Sequence, residues 1–379
     1  MVATRSVPSS LSDFVRSTAR RAPVTTRDAS FLILSCVFFY LLWVVMYHNG
    51  SADAMNAVVE AGKFPDGTPL KTHYTGIAPV DKILSILVAF TYPVTIGNDQ
   101  AAWLLMVDVV STLQTGLAWA FIDSVRFGNK SAWLSYPALI YLAVNGFGAA
   151  AILPLYFFTH LRNPIAPGEH YLQLWNAKPL AYSIVLGVLL PGLAELGGMR
   201  LSGTQWRHQA IIAFFQASPL LAAALQWTMS GLYPIRNIDV RTRKIAYMPS
   251  LRQALVVAGG FSAIAHMLVL GFLLTGRESF SAVYVPDNTR PVAATGLAKL
   301  LEGSRLFLQY DFLGISLSVA LWCYYLVKET GEEVSTKTLT FILGGILTAG
   351  PGAVGSATLY WRENRLYEKQ KNSMVRVNA

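Results

Sequence analysis

The sequence predicts an all-α protein, a polytopic membrane helix bundle of about eight or nine transmembrane helices. Of its 379 residues, 53% are hydrophobic and only 13% are charged. The apolar residues also come in runs long enough for helices to cross the roughly 30 Å hydrocarbon core of a bilayer. This composition excludes an ordinary soluble domain and a disordered chain.

Nine apolar stretches are the candidate spans. We place them at about 31–47, 83–95, 101–122, 133–158, 180–196, 210–229, 254–274, 307–326 and 339–360. The second stretch is short and contains Pro93, so we expect it to be tilted or re-entrant. Proline also interrupts the fourth, fifth and ninth stretches. The sequence therefore predicts one transmembrane bundle over residues 29–361, between basic tails at 1–28 and 362–379.

Basic residues are concentrated in the two tails and in the loop 236–252, and the net charge is +9. This pattern is typical of cytosolic anchoring beside anionic lipid and not of nucleic-acid binding. Six crossings would place the N-terminus and this loop together on the cytosolic side. Three more crossings would put the basic C-terminus outside. We therefore expect either a re-entrant segment after residue 253 or a ninth stretch that does not cross.

The N-terminal tail also has the Ser-, Thr- and Arg-rich composition of a mitochondrial transit peptide. A full-length apolar stretch follows it at once, which favours a cytosolic tail before a signal anchor. We expect an integral membrane protein of the endoplasmic reticulum.

The stretch 307–326 contains one acid, Asp311, within the run Phe307-Leu308-Gln309-Tyr310-Asp311. A carboxyl group in hydrocarbon is costly unless it is paired, faces a cavity or has a function. Gly314 and Ser318 share its helix face, and aromatic residues flank it. In a dry pocket such an acid could protonate an apolar substrate and hold a carbocation. The structural alternative is that Asp311 caps its own helix or pairs with Arg305.

The stretch 101–122 carries a polar stripe. Its positions follow helical spacings of three and four: Asp108, Thr112, Thr115, Trp119 and Asp123. The two acids lie about 22 Å apart along a helix, so they cannot form one paired centre. Asp108 is the deeper candidate acid, and a hydrogen bond to a nearby hydroxyl or a neighbouring helix is its structural alternative. For Asp123 the alternative is an ion pair with Arg126.

Glu195 and His266 are the other titratable candidates. Glu195 follows Pro191 and precedes a pair of glycines. It either faces a cavity or reaches the interface towards Arg200. His266 stands alone on an apolar stretch, where a packing role is more common than a catalytic or ligand role.

Motifs of several enzyme classes are absent from the sequence. It contains no Asp-Asp-x-x-Asp or Asn-Asp-x-x-Asp-x-x-x-Asp diphosphate motif, no phosphate loop, no histidine cluster and no Asp-x-Asp-Asp motif of soluble protonating cyclases. Cys36 and Cys323 both lie in predicted spans and indicate neither a disulfide framework nor a metal site. We predict no metal and no cofactor, and acid chemistry on an apolar, neutral substrate.

Four runs resemble those of a fungal membrane-protein family that includes integral-membrane cyclases of meroterpenoid pathways, such as the ascofuranone and ascochlorin type. The runs cover 76–90, 123–129, 153–157 and 307–311. The chain differs from the expected pattern at Asp123, where we expect Glu, and at Thr91-Tyr92, where we expect a second aromatic residue.

The resemblance implies cyclisation of a farnesyl-type chain on an aromatic or polyketide head group, begun by protonating an epoxide or a terminal alkene. Asp311 or Asp108 would donate the proton. Asp123 or Glu195 would take the final proton or position a head-group hydroxyl.

Aromatic side chains would stabilise the cation through their π-faces. The expected substrate-binding residues are Trp103, Trp119, Tyr310, Trp322 and Gln309. The partners would be a prenylated aromatic substrate and the lipid bilayer through which it arrives.

The alternative class is a non-enzymatic transporter or lipid-binding membrane protein. Helices interrupted at Pro93, Pro154 and Pro191, together with buried polar groups, also suit a substrate pathway. A transporter is expected to show inverted internal symmetry, and the sequence shows none. The absent motifs disfavour an acyl- or prenyltransferase.

Overall fold

The computed structural model describes residues 23–97, 99–127, 131–163, 171–233 and 245–376. Within these ranges the regular structure is helical, apart from two isolated β-bridges, which confirms the predicted all-α class. Residues 1–22 of the basic N-terminal tail, residues 236–244 of the basic loop, and Gly128 and Asn129 of the second family-like run lie outside the described residues. The predicted orientation of the tails and the predicted domain limits stay predictions.

Within the described residues, thirteen helices of more than ten residues form the bundle. They are α1 Thr26–His48, α2 Ser51–Ala61, α3 Ala78–Thr95, α4 Gln100–Ser124, α5 Pro137–Phe147, α6 Ala149–Leu161, α7 Leu174–Met199, α8 Gln205–Gln216, α9 Ser218–Gly231, α10 Met248–Leu274, α11 Gly296–Glu329, α12 Thr336–Ala349 and α13 Pro351–Arg376.

The described helices provide fewer spans than the eight or nine predicted. Five are long and apolar enough to cross a membrane: α1, α4, α7, α10 and α11. A sixth span results if α8 and α9, which meet at a bend of 59°, are counted as one.

The difference arises partly where glycine divides a predicted span. The stretch 133–158 is broken at Gly148 and the stretch 339–360 at Gly350, whose φ angles are 86° and 87°. A positive φ angle ends an α-helix, and residues with a Cβ rarely adopt one. Each predicted span therefore becomes two helices. The second half of the last one continues as α13, in which Glu363 is buried.

α4 lies at the centre of the bundle. Of its most apolar 18 residues, 94% are buried by other parts of the chain. The Asp99 side chain caps it by accepting a hydrogen bond from the N–H of Ala102 at 2.8 Å. Because other helices surround α4, Asp108 and Asp123 face the protein interior and not lipid.

α11 packs closely against α1 and α6 at Gly314. A Cβ at this glycine would overlap with the Cβ of Ala150 and would lie 2.7 Å from the ring of Phe38. Small residues allow such close approach between membrane helices. The contact places Asp311, three residues earlier on α11, beside the start of α6.

Candidate active site

Asp311 lies in the middle of α11, where its buried carboxyl group caps another helix. Its Oδ1 accepts a hydrogen bond from the backbone N–H of Ala150 at 2.7 Å. α6 begins directly after Gly148, and the first N–H groups of a helix have no partner within that helix. In a membrane interior such groups need a protein acceptor, and Asp311 supplies one.

Neither of the structural alternatives predicted for Asp311 is found. α11 begins at Gly296, so Asp311 is four turns from the start of its own helix. Arg305 lies on a different face of α11 and pairs with Asp99 and Glu302.

Other side chains support the same break between α5 and α6. The indole Nε1 of Trp43 donates to the carbonyl of Phe147 at 2.9 Å, and the hydroxyl of Ser35 donates to the carbonyl of Ala151 at 2.7 Å. At this break, α1 therefore supplies hydrogen-bond donors and α11 supplies a hydrogen-bond acceptor to the backbone.

An aromatic ring borders the carboxyl group of Asp311, as the sequence predicted. A Cβ built on Gly148 would lie 3.2 Å from the ring of Phe307 and 3.4 Å from Oδ1 of Asp311. Phe307 in turn packs edge-on against Trp43 and Phe90, at centroid distances of 5.8 Å and 5.2 Å. Asp311 thus combines a buried acid with nearby π-systems.

Asp123 belongs to a buried ionic cluster at the C-terminal end of α4. Its carboxylate accepts from Arg126 Nε at 3.0 Å and from the hydroxyl of Tyr156 at 2.6 Å, and it lies 2.6 Å from His160 Nδ1. Arg126 makes two further bonds to Glu363, at 2.8 Å and 3.1 Å. The pair with Arg126 was a stated alternative. The tyrosine, the histidine and the glutamate are partners that were not predicted from the sequence.

Aromatic rings stack beside this ionic cluster. Trp322 stacks on Phe157 with a centroid distance of 4.4 Å, and Trp119 lies 5.1 Å from Trp322. His160 meets the ring of Trp322 edge-on at 5.5 Å. The structure therefore brings two predicted substrate-binding residues together with Asp123. Trp119 also donates its Nε1 hydrogen to Ser356 at 2.9 Å.

Asp108 is held by groups from outside α4. His266 Nδ1 lies 2.9 Å from its carboxylate, and the hydroxyl of Tyr284 donates to the same group. The second ring nitrogen of His266 lies 3.3 Å from the carbonyl of Leu347. The histidine that stands alone in the sequence is therefore hydrogen-bonded in the fold, with acceptors at both ring nitrogens. Asp108 has the hydrogen bond to a neighbouring helix that was its stated alternative.

Glu195 differs from the other acids because it is completely buried without a partner. Its exposed fraction is 0%, and neither carboxyl oxygen has a hydrogen-bond partner within the part of the chain that the structure describes. This burial rules out the position at the interface that was one of its two expected environments. Glu195 lies on α7 at its contact with α4.

Gln309 and Tyr310 have structural partners around the loop between α10 and α11. Gln309 Nε2 donates to the carbonyls of Ala282 and Val283 at 3.3 Å and 3.2 Å. The hydroxyl of Tyr310 accepts from Asn288 at 2.9 Å. A role for either side chain in substrate binding stays a prediction.

The described residues do not bring the four acids into one centre, and no three of their His, Cys, Asp or Glu side chains converge as metal ligands. A surface pocket of about 410 Å³ lies between α2 and the start of α11, with Phe64, Lys299 and Leu300 in its wall. None of the four acids lines it.

Fold and site together define a helical bundle in which several helices are long and apolar enough to cross a membrane. Its buried carboxyl groups include ion-paired ones and, within the described residues, ones without an ionic partner. The chain belongs to the CtvD-domain family, whose domain matches residues 26–367. This match confirms the family predicted from the sequence runs.

Curated relatives cover most of the chain. Terpene cyclase DEP1 of Alternaria brassicicola is 28% identical, over 90% of this chain and 99% of the relative. Terpene cyclase DEP1 of Fusarium langsethiae is 27% identical, with the same coverage. Terpene cyclase ascI of Acremonium egyptiacum is 26% identical, over 77% of this chain and 79% of the relative. No solved structure matches. The prediction of an enzyme of the cyclase class is confirmed by these relatives.

Proposed function

We propose that the chain is a membrane-bound terpene cyclase that protonates an epoxide or terminal alkene of a prenylated aromatic or polyketide substrate. It then guides the carbocation to a cyclic product without a metal ion. The names of the relatives, which align over most of the chain, support the cyclase class. One observation carries the acid mechanism: Asp311 and Glu195 are buried and form no ion pair within the described ranges.

A proton donor in a dry site must hold its proton until the substrate arrives. Asp123 is paired with the guanidinium of Arg126, which stabilises the charged carboxylate. A carboxyl group without a partner is far less costly to bury in its neutral form than as an anion. Asp311 and Glu195 are therefore better placed as proton donors than Asp123.

Asp108 and Asp123, which pair with histidines, are suited to steps that follow the first protonation. Asp108 holds the imidazole of His266, and Asp123 holds that of His160 beside Trp322. A carboxylate–imidazole pair can accept the proton that the final carbocation loses. Trp119 and Trp322 would stabilise positive charge as it moves along the folded chain, because cations are attracted to aromatic faces.

Conversion of a prenylated phenol epoxide by microsomes that contain the full-length chain tests the proposal. The assay is run with EDTA, and the expected product is a cyclic isomer of unchanged mass. Microsomes that contain folded protein but give no cyclised product would contradict the cyclase proposal. Activity that is lost in EDTA and restored by Mg²⁺ would contradict the metal-free mechanism.

The break between α5 and α6 supports a second candidate function, transport of a small apolar molecule. Interrupted helices inside a bundle commonly line substrate pathways in transporters. Proteoliposomes loaded with the same phenol epoxide distinguish the two functions. Protein-dependent efflux of chemically unchanged compound supports transport, whereas a cyclised product supports the enzyme.

A further inference from the structure

We infer that Glu195 is the proton donor of the cyclisation and that the amide oxygen of Gln114 receives the hydroxyl group that this protonation creates. The inference rests on the proposed function and assigns the acid and its partner within it.

The contact between α4 and α7 places the two residues together. A Cβ on Gly192 would lie 3.1 Å from Cγ of Gln114, so the glutamine side chain lies directly against α7. One turn further along α7, the carbonyl of Leu196 accepts a hydrogen bond from Trp103 Nε1 at 3.0 Å. Glu195 lies between these two contacts. Along α7, Glu195 thus stands in the interval between the contacts with Gln114 and Trp103, and it is completely buried there.

Both polar groups in this interval lack hydrogen-bond partners. The two oxygens of Glu195 and Oε1 of Gln114 are buried and unbonded within the described residues. The great majority of buried polar groups in folded proteins are hydrogen-bonded, and an unsatisfied one is costly. Two such groups on facing helices indicate a site whose partner is a ligand. The neutral acid offers a donor, and the amide oxygen offers an acceptor.

The backbone of α7 is irregular just before this site. Val185–Leu189 form a π-helical turn, and Pro191 follows it without an N–H to donate. Such π turns within α-helices are frequent at functional sites. Gly192 then leaves the space that the side chain of Gln114 occupies.

The chemistry fits this pair of groups. A proton passes from Glu195 to the epoxide oxygen, the C–O bond breaks, and its electron pair stays on that oxygen, which becomes a hydroxyl. The π-electrons of the chain then form the new C–C bond. The last cation loses a proton to a base, and an equivalent proton returns to Glu195, so the product is an isomer of the substrate.

Gln114 and Trp103 would stabilise the substrate as its epoxide opens and positive charge develops on its carbon chain. An epoxide oxygen carries no hydrogen, so the bond to Gln114 Oε1 forms only as the hydroxyl appears. Interactions that are made only in the transition state raise the rate of the chemical step. Trp103 lies three turns from Gln114 on the same face of α4 and would present its indole to the early cation.

Turnover of a farnesylated phenol epoxide by purified full-length variants is the first test. We expect Glu195→Gln to lower kcat by about 10²–10⁴-fold, the usual contribution of a general acid. Its thermal unfolding should match the wild type, because the carboxyl group of Glu195 has no hydrogen bond to lose within the described residues. Gln114→Leu should lower kcat by about tenfold, through one hydrogen bond. Glu60→Gln makes the same chemical change at an exposed position of α2 and should leave turnover unchanged.

A measurement on the wild type covers the case in which Glu195→Gln does not fold. Dicyclohexylcarbodiimide modifies neutral carboxyl groups in apolar surroundings, and the labelled residue can be identified by peptide mass. We expect label on Glu195 and protection by the phenol epoxide.

Two outcomes overturn the inference: a folded Glu195→Gln protein with normal turnover, or label that is absent from Glu195 or unaffected by substrate. A wild-type enzyme that cyclises nothing contradicts the proposed function instead, and the labelling result then decides whether Glu195 is a neutral, ligand-accessible acid.

Discussion

The carboxyl group of Asp311 accepts a 2.7 Å hydrogen bond from the backbone N–H of Ala150, so a side chain of α11 caps the N-terminus of α6. The two residues are 161 positions apart in sequence. The hydrogen bond fixes the position of α6 at the break after Gly148. Asp311 therefore has a structural role as a helix cap, whether or not it also transfers a proton.

Substitutions of Asp311 distinguish its role as a helix cap from a role as proton donor. We expect Asp311→Ala to lower the free energy of unfolding by about 1–2 kcal/mol, the usual cost of losing an N-terminal cap. Asp311→Asn should retain most of the stability, since asparagine caps helices about as well as aspartate. Chemical denaturation in detergent micelles measures both variants. A stable Asp311→Asn protein that has lost turnover would assign the proton donor to Asp311 and not to Glu195.

The bidentate pair between Arg126 and Glu363 should contribute strongly to stability. Both side chains are buried, and Glu363→Gln leaves the guanidinium with less negative charge around it. Removing one member of a buried ion pair typically costs about 3–5 kcal/mol, and we expect a loss near 3 kcal/mol because Asp123 remains.

The exposed pair between Arg365 and Glu332 provides the matched control for this loss. Glu332→Gln should change the free energy of unfolding by less than about 1 kcal/mol, as for most surface pairs. Equal effects of the two substitutions in detergent unfolding experiments would show that burial does not strengthen the Arg126–Glu363 contact.

Composition and apolar runs were sufficient to predict an all-helical bundle with apolar helices of membrane-spanning length, because a bilayer admits few kinds of spanning segment. They overestimated the number of spans. Hydropathy does not register a positive φ at Gly148 or Gly350, and each divides an apolar run into two helices.

The acids themselves could be selected from sequence, but their partners could not. Asp108 and His266 are 158 positions apart in the sequence, and they meet only because the helices that carry them pack together. One signal was present: Tyr156 and His160 are four residues apart and therefore share a helix face. Both contact Asp123.

Close packing at Gly314 can be tested by adding one methyl group. We expect Gly314→Ala to destabilise the protein by about 1–3 kcal/mol, because the new Cβ would overlap with Ala150 and Phe38. Gly344→Ala on α12 is the control, since nothing lies within 4 Å of the position that its new Cβ would take. That substitution should be neutral or stabilising by up to about 1 kcal/mol through helix propensity. A thermal unfolding series in which both variants behave alike would contradict the packing argument.

The turn before α3 should open as the pH falls. Asp81 lies outside the candidate spans, and its carboxylate accepts from the backbone N–H of Thr75 at 2.7 Å, from the hydroxyl of the same residue at 2.8 Å and from the N–H of Gly76 at 3.1 Å. The backbone hydrogen bond from Thr75 is the largest cause that holds the pKa of Asp81 below its usual 3.8. Because the folded pKa is lowered, the stabilisation is complete above the unfolded pKa and is lost as the pH falls through the folded value.

Hydrogen exchange of the Thr75 and Gly76 amides measures this opening. We expect their protection in the wild type to be constant from about pH 7 to pH 5 and to decline below about pH 4, as protonation of Asp81 removes the acceptor. Asp81→Asn should lower the protection throughout this range and remove its pH dependence. Asp53→Asn, at an exposed position of α2, should leave the profile unchanged. Protection that declines equally in the wild type and in Asp81→Asn would show that a different group controls the turn.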